Sequence, residues 1–260
     1  MTDPRDLIAE NAAALHEAMA AVSGARTDRR PEWLAVDAGV SPRRNRVLLT
    51  APVEDAERLV AGLRDFYAGN PRGGGIRIED PYGTLDLAPY GFRRAWRMPA
   101  MMRQPGPVDA LGDVDLEATS GVAVFRVFDE EELADAERAI VDGFPYPDLR
   151  PVRPGLFAPA GLLAVPGLAF WVGQRSYEVA GAGVTFHNGS SVGVYWLATL
   201  AEHRHRGVAR VILTMMLRRN PDVPAVLTAT DAGLALYTSL GFAHLGDASW
   251  WDVADRATLS

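Results

Sequence analysis

The residues best suited to chemistry form a short basic turn, Arg204-His205-Arg206-Gly207-Val208-Ala209. The turn follows a strand-like apolar run at 192–200 and opens a helix-like run at 208–218. The first amides of a helix have no intrahelical acceptor, and the helix dipole adds about half a positive charge at that end. Small residues let a ligand approach this backbone, and the two arginines add full charge. The turn therefore predicts a diphosphate site, although an exposed basic turn before an ordinary helix explains the six residues about equally well.

A tyrosine further along the chain is the second candidate, in the segment Tyr237-Thr238-Ser239-Leu240-Gly241-Phe242. Asp231 is expected to cap the helix that carries it, and Gly241 is expected to end that helix in a left-handed conformation. Tyr237 then lies one turn before the end of the helix, where its hydroxyl is held at a fixed place. A core tyrosine on an amphipathic helix is the plain alternative, and for Tyr237 on its own it is the better one.

The elements around these residues predict an α/β or α+β sheet with helices on both faces. Strand-like runs lie at 122–127, 168–173, 178–187, 191–200 and 225–228, and 242–245 and 250–253 are expected to close the sheet. Helices are expected at 130–141, 207–218 and 231–240. The Pro-rich segment at 144–166 is either a loop that lines a site or simply a long connection.

The first half shows a looser version of the same order of elements. Helices are expected after Pro4 and Pro52, with strands at 33–36 and 46–50. Tyr90-Gly91-Phe92 is similar to Leu240-Gly241-Phe242, which favours two related halves. The first half has no equivalent of the phosphate turn, and the Pro-, Gly- and Asp-rich stretch at 104–115 is the best linker.

Composition argues against several other classes of protein. The net charge is −7, so nucleic acid is not expected as a partner. No apolar run is long enough to span a membrane and no leader pattern is present, so a cytoplasmic location is expected. The absence of cysteine and the spacing of the five histidines predict no metal site, with His203 and His205 as solvated turn residues.

Two stretches together resemble a known family. Residues 194–209 resemble motif A of the GNAT superfamily of CoA-dependent N-acyltransferases, and residues 229–231 with 236–242 resemble its motif B. The match covers the chain from about residue 122 to residue 253. It implies a degenerate GNAT-like domain at 1–112 and an acetyl-CoA-binding GNAT domain at 113–260. Each half would be a mixed, mostly antiparallel twisted sheet flanked by helices, with splayed fourth and fifth strands in the second half.

The resemblance also implies roles for individual residues. Strands four and five would part at a bulge near Ala198 and Thr199, and the strand backbone there would pair with the pantetheine arm of acetyl-CoA. Tyr237 would face the thioester sulfur and protonate the leaving thiolate, while a strand amide near Leu197 or Ala198 would meet the oxyanion. The implied acetyl-CoA contacts are Leu197, Ala198, Thr199, Arg204, His205, Arg206, Gly207, Val208, Ala209 and Thr230.

The acceptor of the acetyl group is expected to be a primary amine on a small molecule or a protein. Strand alternation sends Tyr195 and Trp196 to opposite faces, so at most one of them faces the acceptor, and core packing is the alternative for each aromatic residue. The predicted acceptor contacts are Phe144, Tyr146, Phe157 and Trp196. A homodimer is one possible assembly.

No general base is assigned. Family members often place Glu or His on the fourth strand, where this chain has Gly193, Val194 and Trp196. The predicted function is direct N-acetyl transfer, and the alternative is a non-catalytic acyl-CoA sensor or interaction protein. A dinucleotide-binding oxidoreductase is disfavoured because no Gly-x-Gly-x-x-Gly follows a first strand.

Overall fold

The computed structural model describes residues 3–39, 45–70, 74–108 and 121–254, and its contacts divide the chain into two units. The first unit comprises Met1–Met102, Thr228–Leu234 and Ala243–Ser260, and the second comprises Arg103–Leu227 and Ala235–Phe242. The predicted boundary between residues 112 and 113 lies outside the described residues. The assignment of a degenerate domain and an acetyl-CoA-binding domain to the two halves therefore stays a prediction.

Within the described ranges the chain forms five α-helices and eleven strands. The helices are α1 (Arg5–Ser23), α2 (Ala56–Ala68), α3 (Glu130–Gly143), α4 (Val208–Arg218) and α5 (Asp231–Ser239). The strands are β1 (Arg26–Arg29), β2 (Trp33–Asp37), β3 (Arg46–Leu49), β4 (Ile76–Asp80), β5 (Arg93–Arg103), β6 (Val122–Arg126), β7 (Leu168–Arg175), β8 (Glu178–His187), β9 (Val192–Thr199), β10 (Ala225–Thr228) and β11 (Ala243–Val253). The predicted mixed α/β class is confirmed.

The sheet of the first unit has the strand order β1-β2-β3-β4-β11-β5 and one parallel pair, β3 with β4. Alternation along β3 divides the core between two helices, because successive side chains point to opposite faces. Val47 and Leu49 pack in the cluster that α2 covers, whereas Leu48 packs with Ala13 and Ala20 of α1.

The last strand differs from the sequence prediction. Residues 242–245 and 250–253 were expected to form two short strands that close the sheet of the second half. They belong instead to one strand, β11, which pairs with β4 and β5 in the first unit. The physical reason is burial, because Trp251 and Val253 complete the core under α2 and are almost inaccessible to solvent.

The second unit orders its strands β6-β7-β8-β9-β10, with β6 to β9 antiparallel and β9 parallel to β10. Helices α3 and α4 lie on opposite faces of this sheet. A Cβ added at Gly143 of α3 would lie 2.6 Å from the Cβ of Ala198, and one added at Gly183 would lie 2.6 Å from Met216 of α4. Glycine at these two positions lets each helix pack closely on the strands.

The predicted splay between the fourth and fifth strands of this unit is confirmed. β9 and β10 pair only where Val192 and Gly193 lie opposite Ala225 and Val226. β9 then continues to Thr199 without a further register position on β10. The carboxyl end of β9 therefore leaves its parallel neighbour and leads directly to the basic turn.

Candidate functional site

The basic turn connects β9 to α4 in an exposed and unusual backbone conformation. A short 3-10 turn at Ala201–His203 follows β9, and Arg204, His205, Arg206 and Gly207 are all exposed. His205 has φ +61° and Gly207 has φ +80°, both in the left-handed region. The two left-handed residues turn the chain sharply into α4, which begins at Val208 with no side-chain cap.

The amides of this turn are unused within the part of the chain that the structure describes. The N–H groups of residues 205–209 have no acceptor among the described residues, and the N–H of Val211 donates to the carbonyl of Gly207 at 3.1 Å. A Cβ added at Gly207 would have nothing within 4 Å. Open space therefore lies beside Gly207, at a helix N-terminus with five consecutive unused amides, an arrangement that fits an anion.

Three arginines lie in the turn or directly after it. The Nε of Arg204 donates to the carbonyl oxygen of Thr199 at 3.3 Å, which ties this side chain to the end of β9. Arg206 is exposed and forms no ion pair with any described residue. Arg210 on α4 donates to the Oγ of Ser239 at 2.7 Å, a contact that links α4 to the second half of α5.

His203 is buried, so its interpretation as a solvated turn residue is wrong. The side chain is 9% exposed, and its Nδ1 has no hydrogen-bond partner among the described residues. The 3-10 turn places His203 on its inner side, whereas His205 lies on the outer side and is exposed. The two histidines therefore have opposite environments although they are two residues apart.

The bulge in β9 lies earlier than predicted. Tyr195 pairs with Val184 and Ala198 pairs with Ala182, so Trp196 and Leu197 together lie opposite Gly183. The sequence placed the bulge near Ala198 and Thr199, which is wrong by about two residues. Gly183 explains the position, because a residue without a side chain leaves room for two residues on the facing strand.

Trp196 takes the strained position in this bulge, with φ +48°. A left-handed conformation costs a bulky residue about 1–3 kcal/mol. It also breaks the alternation of side chains, and the rings of Tyr195 and Trp196 lie 5.7 Å apart. The prediction that these two residues face opposite sides of the sheet is therefore wrong.

Five aromatic residues form a continuous row in the second unit, and we call them the aromatic row. Ring centroids are 5.6 Å apart for Phe144 and Tyr146, 6.2 Å for Tyr146 and Phe157, and 5.2 Å for Phe157 and Trp196. Tyr195 completes the row beside Trp196. All five side chains are half-buried, so each retains an accessible surface.

A buried carboxylate holds the loop that carries Phe157. Glu137 of α3 is 1% exposed and accepts hydrogen bonds from the backbone N–H groups of Gly155 at 2.7 Å, Phe157 at 2.5 Å and Ala158 at 3.2 Å. Charge-assisted bonds of this kind are stronger than neutral ones. Glu137 therefore holds the loop that carries Phe157, although the sequence of its helix predicts only an ordinary acidic helix.

Tyr237 lies in the last turn of α5. Its carbonyl accepts the N–H of Phe242 at 3.1 Å, and Gly241 has φ +86°, as the sequence predicted for the end of this helix. The ring packs edge-on against Phe242 at 5.7 Å. Burial raises the pKa of Tyr237 to about 12, because it disfavours the charged phenolate. The phenol is therefore protonated at neutral pH and can donate a proton.

The comparisons with solved structures identify the fold. A GCN5-related N-acetyltransferase from Kribbella flavida superposes with a TM-score of 0.64 at 18% identity, over 94% of this chain and 95% of that chain. A tandem GNAT protein from the clavulanic acid biosynthesis pathway superposes with a TM-score of 0.55 at 14% identity, over 85% and 78% of the two chains. The chain has the GNAT fold.

Other comparisons agree with this fold or find nothing. A functionally unknown conserved protein from Staphylococcus epidermidis ATCC 12228 has a TM-score of 0.63 at 12% identity, over 90% of this chain and 95% of that chain. The sequence matches no family model and no curated protein. At identities this low, the superpositions establish the GNAT fold alone.

Within this GNAT fold, the structure brings most of the predicted site residues into the second unit. The turn follows directly from Leu197, Ala198 and Thr199, and the predicted acceptor residues form four of the five members of the aromatic row. Thr230 groups with the first unit, where its carbonyl accepts the N–H groups of Gly233 and Leu234. Its predicted pantetheine contact stays a prediction.

One residue of the candidate site, Glu137, was missed from the sequence, and a second, Tyr195, was left out of the final acceptor contacts. Glu137 gives no local signal, because only the fold brings the loop at 155–158 back over α3. Tyr195 was a candidate for the acceptor pocket, but strand alternation allowed only one of Tyr195 and Trp196 to face it, and Trp196 was kept; the bulge breaks that alternation. Among the described residues there is no cluster of three or more histidine or acidic side chains able to hold a metal. No helix in the same ranges is long and apolar enough to cross a membrane.

Proposed function

We propose that the chain is an N-acetyltransferase that moves an acetyl group from acetyl-CoA to a primary amine. The observation that carries this proposal is the set of five unused amides at residues 205–209, beside the open space at Gly207. A diphosphate satisfies such amides, and the exposed Arg204 and Arg206 supply opposite charge. CoA combines a diphosphate with an extended arm, and the splayed end of β9 suits such an arm.

The residues present fit acetyl-CoA at three places. The amides of His205 to Ala209 would hold the pyrophosphate, and the backbone of Leu197 to Thr199 would pair with the pantetheine arm as an added strand. Thr230 would lie beside that arm. Acetyl-CoA, when bound, supplies the acetyl thioester. The other reactant is a primary amine on a small molecule or a protein, and a homodimer is compatible with this function.

The chain itself would contribute one proton donor and one oxyanion donor. Tyr237 is neutral at physiological pH and would hold the proton that the departing sulfur takes. A strand amide near Leu197 or Ala198 would stabilise the charge that develops on the carbonyl oxygen. The amine would arrive deprotonated or lose its proton along a chain of water molecules, since β9 offers no base.

The test of the proposal is CoA binding by a Gly207→Glu variant, measured by calorimetric titration. The added carboxylate would stand beside the unused amides, so we expect the affinity to fall at least about 100-fold. Gly189→Glu is the matched control, because Gly189 also has a left-handed φ, +97°, and open space around its Cβ. It adds the same charge in the connection between β8 and β9 and should leave the affinity unchanged. Full affinity in Gly207→Glu would overturn the assignment of the turn.

A second candidate function is a non-catalytic acyl-CoA sensor. The observation that favours it is the chemistry of β9, where Gly193 and Val194 are buried and Trp196 cannot accept a proton. Release of free thiol from acetyl-CoA, measured with a panel of amines, separates the two functions. Release above hydrolysis with any amine supports the transferase. Binding of CoA without such release for any amine supports the sensor.

A further inference from the structure

The aromatic row has the form of a recognition surface for another ring. Its five side chains carry no formal charge, and each ring leaves part of its surface accessible. Phe144 and Tyr146 lie nearly parallel at 16°, whereas Phe157 meets Trp196 edge-on at 87°. A flat apolar group can therefore contact either the faces or the edges of these rings. Aromatic pairs attract in both geometries.

Two neighbouring members of the row, Phe157 and Trp196, are held in place by the fold itself. Three amides of the loop at 155–158 are fixed by Glu137, so Phe157 has a defined position. Next to Phe157, the bulge holds Trp196 in a left-handed conformation that a tryptophan rarely adopts. Strain of this kind persists where the surroundings over-determine it, and it concentrates at ligand sites. Preorganisation of this kind lowers the ordering cost of binding.

Two carboxylates of the same region as the row, those of Glu137 and Asp142, already have partners within the chain. Glu137 is buried and accepts three amide bonds, and Asp142 pairs with Arg150 at 3.5 Å. A polycationic amino sugar needs carboxylates that are available to its ammonium groups. The row instead offers uncharged ring surface to the part of the acceptor that does not react.

We infer that the acceptor is an arylalkylamine, a primary amine carried on a short chain from an aromatic ring, with its ring bound by the aromatic row. The inference rests on the proposed acetyl transfer, which it makes more specific. The ring would pack against Phe157 and Trp196, and the bulge of β9 lies directly beside this place, next to the strand segment assigned to the thioester arm. The aromatic row would therefore decide which amine is accepted, without taking part in the chemical step.

The first experiment compares kcat/KM for 2-phenylethylamine, hexylamine and kanamycin at saturating acetyl-CoA. We expect 2-phenylethylamine to be preferred over hexylamine, and a Phe157→Leu variant to lower its kcat/KM about fivefold to tenfold, as stacking energies predict. The KM for acetyl-CoA should not change. Phe128→Leu is the matched control, because Phe128 lies in the same unit, outside the row, and is 73% exposed. Equal use of hexylamine, or full activity of Phe157→Leu towards 2-phenylethylamine, would overturn the inference.

A second measurement keeps the inference testable if no amine is acetylated. Binding of 2-phenylethylamine in the presence of CoA is followed by calorimetry in the unmodified chain and in Phe157→Leu and Phe128→Leu. Binding that only Phe157→Leu weakens supports the aromatic row as an arylalkylamine site, even if the transferase function itself fails. Absence of binding, or binding that Phe157→Leu does not weaken, overturns the inference. Acetylation of kanamycin alone would support the transferase and overturn the arylalkylamine.

Discussion

The two units contain the same strand–helix–strand arrangement. The N-terminus of the helix is capped by a side chain in one copy and uncapped in the other. In the first unit α2 connects the parallel strands β3 and β4, and in the second α4 connects β9 and β10. The carboxylate of Asp55 accepts the N–H of Arg58 at 2.8 Å and so caps α2. Gly207 precedes α4 and provides no side-chain cap. One copy caps its helix with a side chain of the chain itself, and the other leaves the first amides of its helix without an acceptor among the described residues.

The two copies also end in the same backbone arrangement, and only the second has a tyrosine at the first position of this segment. The N–H of Phe92 donates to the carbonyl of Leu87 at 3.3 Å, and the N–H of Phe242 donates to the carbonyl of Tyr237 at 3.1 Å. The glycine between them is left-handed in both copies. Leu87 is fully buried, whereas Tyr237 is a half-buried phenol. The two copies therefore share a backbone arrangement and differ in the side chains at its two ends, the helix cap and the phenol.

The largest effect is expected from removing the phenol that distinguishes the second copy. Tyr237→Phe should lower kcat for acetyl transfer about 100-fold or more, because it removes the proton donor. The dissociation constant for CoA, measured by calorimetry, should stay the same. Tyr177→Phe is the control, since this tyrosine of the same unit is fully exposed. An unchanged kcat in Tyr237→Phe would remove Tyr237 from the mechanism.

A tyrosine in the first copy should affect stability instead of activity. Tyr67 of α2 is buried, and its hydroxyl donates to the carbonyl of Val36 at 2.9 Å. Tyr67→Phe leaves that carbonyl with one bond fewer, so the free energy of unfolding should fall by about 1–2 kcal/mol. Tyr237→Phe should change it by less than about 0.5 kcal/mol. Chemical denaturation of both variants checks this contrast, which fails if their order is reversed.

Removing the internal cap of α2 should be a purely structural change. Asp55→Ala is expected to cost about 1 kcal/mol of unfolding free energy, while Asp55→Ser, which keeps a capping oxygen, should cost less. Neither variant should alter CoA affinity. A loss of CoA binding in Asp55→Ala without unfolding would show that the first copy also takes part in binding.

The smallest effect is expected from pH. Burial raises the pKa of Tyr237 to about 12. The folded chain therefore keeps the phenol proton at about pH 10, where an exposed tyrosine begins to lose it. The acid form is therefore fully present below that pH and is lost only as the pH rises through the folded value. The kcat profile should show no descending limb from Tyr237 up to about pH 10. A limb near pH 9 that Tyr237→Phe abolishes would contradict the raised pKa.

Local features of the site were predictable from the sequence because neighbouring residues determine them. Arg204 to Ala209 specify a tight turn into a helix, and Gly241 specifies the end of another. Both depend on backbone preferences that act over a few residues. The GNAT fold followed from these two segments and their order, and the structure confirms it.

The remaining features depend on residues that are distant in the sequence. The bulge at Trp196 is set by Gly183 on the facing strand, so the pattern of β9 alone placed it too late. Glu137 acquires its role only when the loop at 155–158 returns over α3. The position of β11 depends on which core receives Trp251, so a prediction from neighbouring residues assigned β11 to the wrong unit. Tertiary packing decided each of these three outcomes.

The position of β11 between β4 and β5 has a consequence for how the chain is made. During synthesis both neighbours leave the ribosome well before β11, which follows the entire second unit. Until then β4 is paired with β3 alone, the edge of β5 that faces β11 is unpaired, and the core under α2 lacks Trp251. Contacts this distant in the sequence form slowly. The first unit is therefore incomplete until β11 has been synthesised, and its unpaired strand edges are exposed during that period.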